Sequence, residues 1–227
     1  MDEGIVTSLE VQKRNKKRVN VYLNGVYAFS LSMDEAARLH KGQALSQADV
    51  AAMRDDDEVM RAVDSAARFL SHRPRSEQEV RRNLTEKETP PPVIDAAVER
   101  LRTLGYLDDH TFASFWVQNR TTFKPVSPKA LRYELRQKGV PDAVIADVLE
   151  TVDADDAAYR AAETQARRLH GLSQRDFRTK LNGFMQRRGF SYSDARAAID
   201  RVIEELSEQD PDYFADADEH TADWSDD

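Results

Sequence analysis

A nine-residue phrase occurs three times in the chain: Ser, three residues, an apolar residue, Arg, two residues, Leu. The copies run from Ser76 to Leu84 with Val80 and Arg81, from Ser127 to Leu135 with Leu131 and Arg132, and from Ser173 to Leu181 with Phe177 and Arg178. They begin roughly 50 residues apart, a period expected of stacked helical units. Each Ser suits a helix N-cap, where its hydroxyl accepts a backbone N–H that has no partner inside the helix. The apolar residue and the Leu stand four apart, on one helical face that must find a core. The Arg falls on a different face, shared by all three copies. An array of such units presents length and surface rather than one deep pocket.

The residues around each copy fill out a three-helix unit. Before the first copy, Ala62, Ala66, Phe69 and Leu70 form one face that ends at Arg73-Pro74. After it, Pro90-Pro91-Pro92 suits a helix start, and Val93, Ile94, Ala97, Val98, Leu101 and Leu104 lead to Gly105, a left-handed cap residue. The second unit has Phe112, Phe115 and Trp116 on one helix, Ser127-Pro128 opening the next, Gly139 closing it, and Pro141 opening the last. The third is expected at Ala157 to His170, Ser173 to Arg188 and Ser193 to Leu206, with Gly189-Phe190 in the place of Gly139-Val140.

Strand signals precede these units. Alternation over Val6 to Val11, then Val19 to Leu23, Asn24-Gly25 and Val26 to Leu31 predict a small three-stranded sheet. Asn-Gly between alternating apolar residues is the strongest short hairpin signal, because both turn residues need positive φ. The loop Lys13-Arg14-Asn15-Lys16-Lys17-Arg18 is strongly basic. Short helices are expected at Glu35 to His40 and Gln47 to Met53, with Asp55-Asp56-Asp57 as a linker or cap. The fold class is therefore mainly α: tandem three-helix repeats in a curved array behind a small strand-rich region. The expected segments are 1–56 for the strands and short helices, 57–107, 108–153 and 154–206 for the three repeats, and 207–227 for an acidic, disordered tail.

That tail governs the net charge. The 227-residue chain carries −8, yet nine acids and no Lys or Arg lie between Ser207 and Asp227; without them the remainder carries +1. Such a tail serves solubility, or competes for a basic face, or docks through Tyr213, Phe214 and Trp224. There is no cysteine, which excludes disulfide scaffolds, thiol catalysis and cysteine-held metals. No apolar run has the length of a membrane span, and no signal-peptide pattern opens the chain. His40, His72, His110, His170 and His220 show no metal-ligand spacing, and no phosphate-binding Gly loop or nucleophile elbow is present. No cofactor is expected, and the chain reads as a non-enzyme.

The ordered series Arg73-Pro-Arg-Ser-Glu-Gln-Glu-Val80, Leu104-Gly-Tyr-Leu-Asp-Asp109, Phe112-Ala113, Trp116, Arg120, Leu131-Arg-Tyr-Glu-Leu135 and Lys138-Gly-Val140 resembles the RecX regulatory proteins of bacteria. The resemblance covers about residues 60 to 205 and is strongest in the first two units; the strand region is similar to the N-terminal extension of longer members. It implies a cytoplasmic monomer that binds RecA–DNA filaments, limits their extension and suppresses strand exchange and ATP hydrolysis in recombination and repair. It carries no catalytic residues.

A RecA filament exposes DNA and a repeating acidic surface, so distributed cations are the candidate contacts. They are Arg68, Arg73, Arg75, Arg81 and Arg82 in the first unit, Arg120, Lys124, Lys129, Arg132, Arg136 and Lys138 in the second, and Arg178, Arg187 and Arg188 in the third. Arg suits both carboxylate and phosphate through its planar fork. Lys13, Arg14, Lys16, Lys17 and Arg18 are candidates for nucleic acid, and the alternative reading is a DNA-binding module that competes for single- or double-stranded DNA. Against all of these stands the plain reading of solvated Arg/Glu faces joined by weak i,i+4 pairs. Arg73 and Arg75 could instead hold the helix corner around Pro74. Phe112, Phe115 and Trp116 have the spacing of core residues rather than of a base-stacking platform. Tyr106 and Leu107 are expected to pack on the following unit.

Overall fold

The structure is a computed structural model and describes residues 3–215. The chain divides into two compact units, Met1–Asp108 and Asp109–Asp227.

The first unit opens with β1 (Gly4–Val11), β2 (Arg18–Leu23), β3 (Val26–Ser32), α1 (Met33–Ala36) and β4 (Ala44–Leu45). The strands form one antiparallel sheet in the order β3-β2-β1-β4. Asn24 and Gly25 make the predicted turn with φ of 52° and 82°. The fourth strand goes beyond the expected three. Two residues cannot display alternation; the strand exists because Gly4 and Ile5 pair with Leu45 and Ala44. Val6, Val19, Val21, Phe29, Leu31, Ala36, Leu39 and Leu45 bury one face of the sheet as a core.

The larger departure is α2, which runs without a break from Gln47 to Leu70. Asp55-Asp56-Asp57, expected as a linker or cap, and the expected segment boundary after 56 both fall inside this helix. No Gly or Pro interrupts residues 47–70. Ser46 opens the helix with a capping box through Asp49. Asp57 is buried because it faces a partner: Arg18 Nη1 and Nη2 donate to its two carboxylate oxygens at 2.6 and 2.9 Å. Val50 and Met53 pack on the sheet core, whereas Ala62, Val63 and Ala66 enter the next one, so a single helix serves two cores. Arginines also close the open edge of β3. Arg54 donates to the Ala28 carbonyl, and Arg18 to the Ser30 carbonyl at 3.0 Å.

α3 (Glu77–Thr85) and α4 (Pro91–Thr103) complete the first three-helix core with α2, around Val80, Leu84, Ile94, Ala97, Val98 and Leu101. Leu107, expected to pack on the following unit, joins this core instead, and Tyr106 is exposed.

The second unit holds α5 (Asp109–Phe123), α6 (Pro128–Gln137), α7 (Asp142–Leu149), α8 (Ala154–Ala166), α9 (Gln174–Arg187) and α10 (Tyr192–Gln209). The first three surround Phe112, Leu131, Leu135, Ile145 and Leu149; the last three surround Phe177, Leu181, Met185, Ile199 and Val202. Ser76, Ser127 and Ser173 all cap their helices, accepting from the backbone N–H of Glu79, Ala130 and Asp176. The two helical triplets meet where α6 begins and α9 ends. Ser127 N–H donates to the Arg188 carbonyl at 3.1 Å. Gly189 sits there at φ +82°, so close that a Cβ would stand 2.8 Å from Ser127 Oγ.

The acidic tail starts later than expected. α10 continues to Gln209, and residues 210–215 fold back over the third core. Tyr213 is buried there, its hydroxyl donating to the Ala166 carbonyl at 2.6 Å, and Phe214 packs edge-on against Phe177. Aromatic burial outweighs the acidic composition of this stretch. The rest of the predicted tail, 216–227, lies outside the described residues.

Candidate binding surface

The repeated Arg occupies equivalent helical positions, but its surroundings differ. Arg81 donates through Nε to Glu77 at 2.7 Å and through Nη1 to Asp95 at 2.6 Å. These two carboxylates hold its pKa above the ordinary guanidinium value, the Glu77 bond contributing most. Arg178 is paired with Asp200. Arg132 makes no ion pair among the described residues and is exposed. The sequence explains the difference. Where α3 has Glu77 after its cap, α6 has Pro128; where α4 has Asp95, α7 has Ala146. Arg132 acts on Asp142 only at longer range, reinforcing the depression of that carboxyl's pKa that the Arg136 bond mainly causes.

The other candidates also separate into held and free. Arg73 donates to Glu79 at 2.9 Å and to the Pro74 carbonyl, and Arg75 stacks on Phe69 at 4.0 Å. Both brace the Pro74 corner, and burial, followed by repulsion from Arg73, lowers the Arg75 pKa. Arg82 pairs with Glu86 and Arg136 with Asp142 at the surface, geometries worth little in water. Arg120 donates to Glu134 at 2.7 Å and lies over the Trp116 ring, which Lys138 flanks at 5.2 Å. Trp116 Nε1–H donates to the same Glu134 oxygen at 2.7 Å. Arg188 stacks on Phe184 and reaches the Pro125 carbonyl at 3.4 Å; burial and then Arg120 lower its pKa. Arg120 and Trp116 tie α5 to α6 through Glu134, and Arg188 ties the third triplet to the second at Pro125. Phe112 is core, and Trp116 is packed rather than presented as a platform.

Arg68, Lys124, Lys129, Arg132 and Arg187 are left exposed without an ion pair among the described residues. In the β1–β2 loop the same holds for Lys13, Arg14, Lys16 and Lys17. Arg18 is not a member of that set, because Asp57 and Ser30 take its guanidinium. Sequence reasoning missed much of this division because Asp57, Asp95, Glu134, Asp142 and Asp200 reach their arginines from other elements, whereas Glu77 and Glu86 stand as i,i+4 partners within one helical stretch. It also missed two aromatic residues of the second triplet, Phe123 (78% exposed) and Tyr133 (66% exposed), the latter adjoining Arg132.

An open cleft of about 620 Å³ lies between α5, α7 and α8, lined by His110, Asp147, Asp153, Asp156 and Arg160 among others. None of the candidate cations lines it. His110 Nε2 and Asp147 Oδ2 are 2.7 Å apart across its mouth. Among the described residues no group of three or more His, Asp or Glu could hold a metal ion, and no helix is long and apolar enough to cross a membrane.

An antiparallel sheet followed by three-helix units, with its exposed cations spread over helix surfaces, defines a tandem helical protein. Residues 4–46 match the regulatory protein RecX N-terminal domain; residues 62–101, 108–149 and 153–199 match the RecX first, second and third three-helix domains. The chain is 34% identical over 208 residues to the regulatory protein RecX of Bacillus subtilis, covering 89% of this chain and 79% of that protein. It is 32% identical over 213 residues to the Listeria monocytogenes protein of the same name, covering 90% and 78%. A crystal structure of a regulatory protein RecX superposes with a TM-score of 0.70 at 28% identity, over 87% of this chain and 99% of that one. The fold is shared with RecX from Lactobacillus salivarius, TM-score 0.55 at 24% identity, over 67% and 98%. The chain belongs to the RecX family of regulatory proteins.

Proposed function

We propose that the chain is a non-enzymatic regulator that binds RecA–DNA filaments and inhibits RecA recombinase and ATPase activity in recombination and repair, acting as a cytoplasmic monomer. The observation that carries this reading is the unbroken order of four RecX segments from residue 4 to residue 199. Unneutralised cations on α6 and α9 support it, since a filament offers acidic protein and phosphate along its length. Several such contacts with phosphate make binding fall steeply with salt. Arg81 and Arg178 serve the folded units through their local acids; Arg132 remains available to a partner.

A second reading, competition for DNA, is favoured by the exposed, ion-pair-free Lys13, Arg14, Lys16 and Lys17. One titration separates the two. ATP hydrolysis by RecA on single-stranded DNA is followed as the protein is added, with its binding to the same DNA measured at the same salt. Suppression at protein levels where free DNA is unoccupied supports filament regulation. Suppression only at DNA saturation supports competition. No suppression at any level rejects both.

A further inference from the structure

Within the three copies of the repeated phrase, one departs from its siblings in a way that points to a ligand. On α6, the exposed Tyr133 is followed one turn on by Gln137 and preceded one turn back by Lys129, with Arg132 beside it. In the first unit the equivalent of Tyr133 is Arg82, engaged by Glu86; in the third it is Thr179, whose hydroxyl donates to the Arg175 carbonyl. Of the three copies, only α6 sets a solvent-facing aromatic ring beside cations, Lys129 and Arg132, that make no ion pair among the described residues. Tyr133 touches no ring or cation there either. Folding does not explain its exposure, because Leu131 and Leu135 already supply the core face of α6.

We propose that this face of α6, with Lys129, Arg132 and Tyr133, is a contact for single-stranded nucleic acid. A nucleotide without a pairing partner has two things to bind, a π-face and a phosphate. Tyr133 supplies the stacking surface, which accepts any base, and Arg132 and Lys129 supply charge for the backbone on either side. Duplex DNA keeps its bases stacked inside and offers only phosphate to the same face, so Tyr133 discriminates between the two forms. An acidic protein surface would use the cations and leave the ring idle. The inference rests on the proposed action at DNA-bearing filaments, but it assigns a contact that exists without RecA.

The test uses the full chain and a fluorescent oligothymidylate, with a duplex of equal length as the comparison, both followed by anisotropy at one salt concentration. Tyr133→Ala is expected to weaken oligothymidylate binding about tenfold, within the range of a lost base–aromatic stack, and to leave duplex binding unchanged. Tyr133→Phe keeps the ring and is expected to bind as the wild type. Arg132→Gln weakens both ligands, whereas Arg81→Gln, whose guanidinium is already engaged, changes neither by more than about twofold. Equal oligothymidylate affinity for the wild type and Tyr133→Ala overturns the proposal. So does equal loss on single strand and duplex, which makes the ring a scaffold for the cations. So does loss of RecA inhibition by Tyr133→Ala with oligothymidylate binding intact, which assigns the face to a protein partner while sparing the proposed function. Conversely, ring-dependent oligothymidylate binding without any effect on RecA sustains this contact and removes the proposed function.

Discussion

Replacing Asp57 by Ala tests how the sheet is tied to α2. The Arg18 guanidinium makes four hydrogen bonds, to the two Asp57 oxygens at 2.6 and 2.9 Å and to Ser30 at 2.8 and 3.0 Å. The side chains of Arg18 and Asp57 are 17% and 7% exposed, so water replaces little of what is lost. Removing one member of a buried pair costs about 3–5 kcal/mol, because the survivor stays buried without its counter-charge. Ser30 still holds Arg18, which places Asp57→Ala at the lower end, about 3 kcal/mol. Arg18→Ala leaves Asp57 with Arg61 alone, at 3.4 Å and largely in water, and costs about the same or more. Replacing both by Leu removes both stranded charges, so the double variant is expected to lose clearly less than the two single losses combined. Urea unfolding followed by circular dichroism measures all three variants. Amide exchange over residues 18–23 and 47–60 locates the loss. Both Trp residues lie beyond residue 108, so Trp fluorescence reports the other unit and should not move. Single-variant losses below about 0.5 kcal/mol, adding simply in the double variant, would place the pair among ordinary surface ion pairs and refute the reasoning.

Three further outcomes follow from the second unit. Gly189→Ala should destabilise it by about 2–3 kcal/mol, combining left-handed strain with displacement of the Ser127 cap; Gly171→Ala, at φ +78° with nothing near the added carbon, should cost only about 1 kcal/mol. Equal losses in urea titrations read by Trp fluorescence would remove the close approach from the explanation. Tyr213→Phe should cost about 1 kcal/mol through its bond to Ala166 and speed amide exchange in residues 210–215, whereas unchanged exchange would mean that segment is held by other contacts. The Tyr159 hydroxyl, and after it Arg201, hold the Glu205 carboxyl below its ordinary value. A depressed carboxyl contributes stability above the unfolded pKa of about 4.3 and loses it as pH falls through the lower folded value. Tyr159→Phe should therefore narrow its deficit against the wild type as the solution is acidified through that window; a deficit constant with pH contradicts the assignment.

The helical plan is legible in the sequence because its signals are local. Ser76, Ser127 and Ser173 cap helices, Gly105, Gly139 and Gly189 take positive φ just beyond the ends of α4, α6 and α9, and Asn24-Gly25 turns the hairpin. What escaped depends on distant partners. The acids at 55–57 read as a break until Arg18 arrives from the sheet to hold Asp57. Ala44 and Leu45 become a strand only beside Gly4 and Ile5. Tyr213 and Phe214 look like tail until the hydrophobic surface around Phe177 takes them. The candidate surface follows the same rule. The three arginines hold the same place in the repeat, but Glu77 on the same helix and Asp95 on α4 engage Arg81, Asp200 on α10 pairs with Arg178, and Arg132 makes no ion pair among the described residues.

The most direct test of the functional account is ATP hydrolysis by RecA on single-stranded DNA, titrated with the wild type, Arg132→Glu and Arg178→Gln at one salt concentration. The account predicts suppression by the wild type below the level that occupies free DNA, near-wild-type suppression by Arg178→Gln, and a rise of about tenfold or more in the amount of Arg132→Glu required, the scale of one lost charge-assisted contact. Wild-type protein that leaves hydrolysis untouched while folded and soluble would contradict the account at its centre.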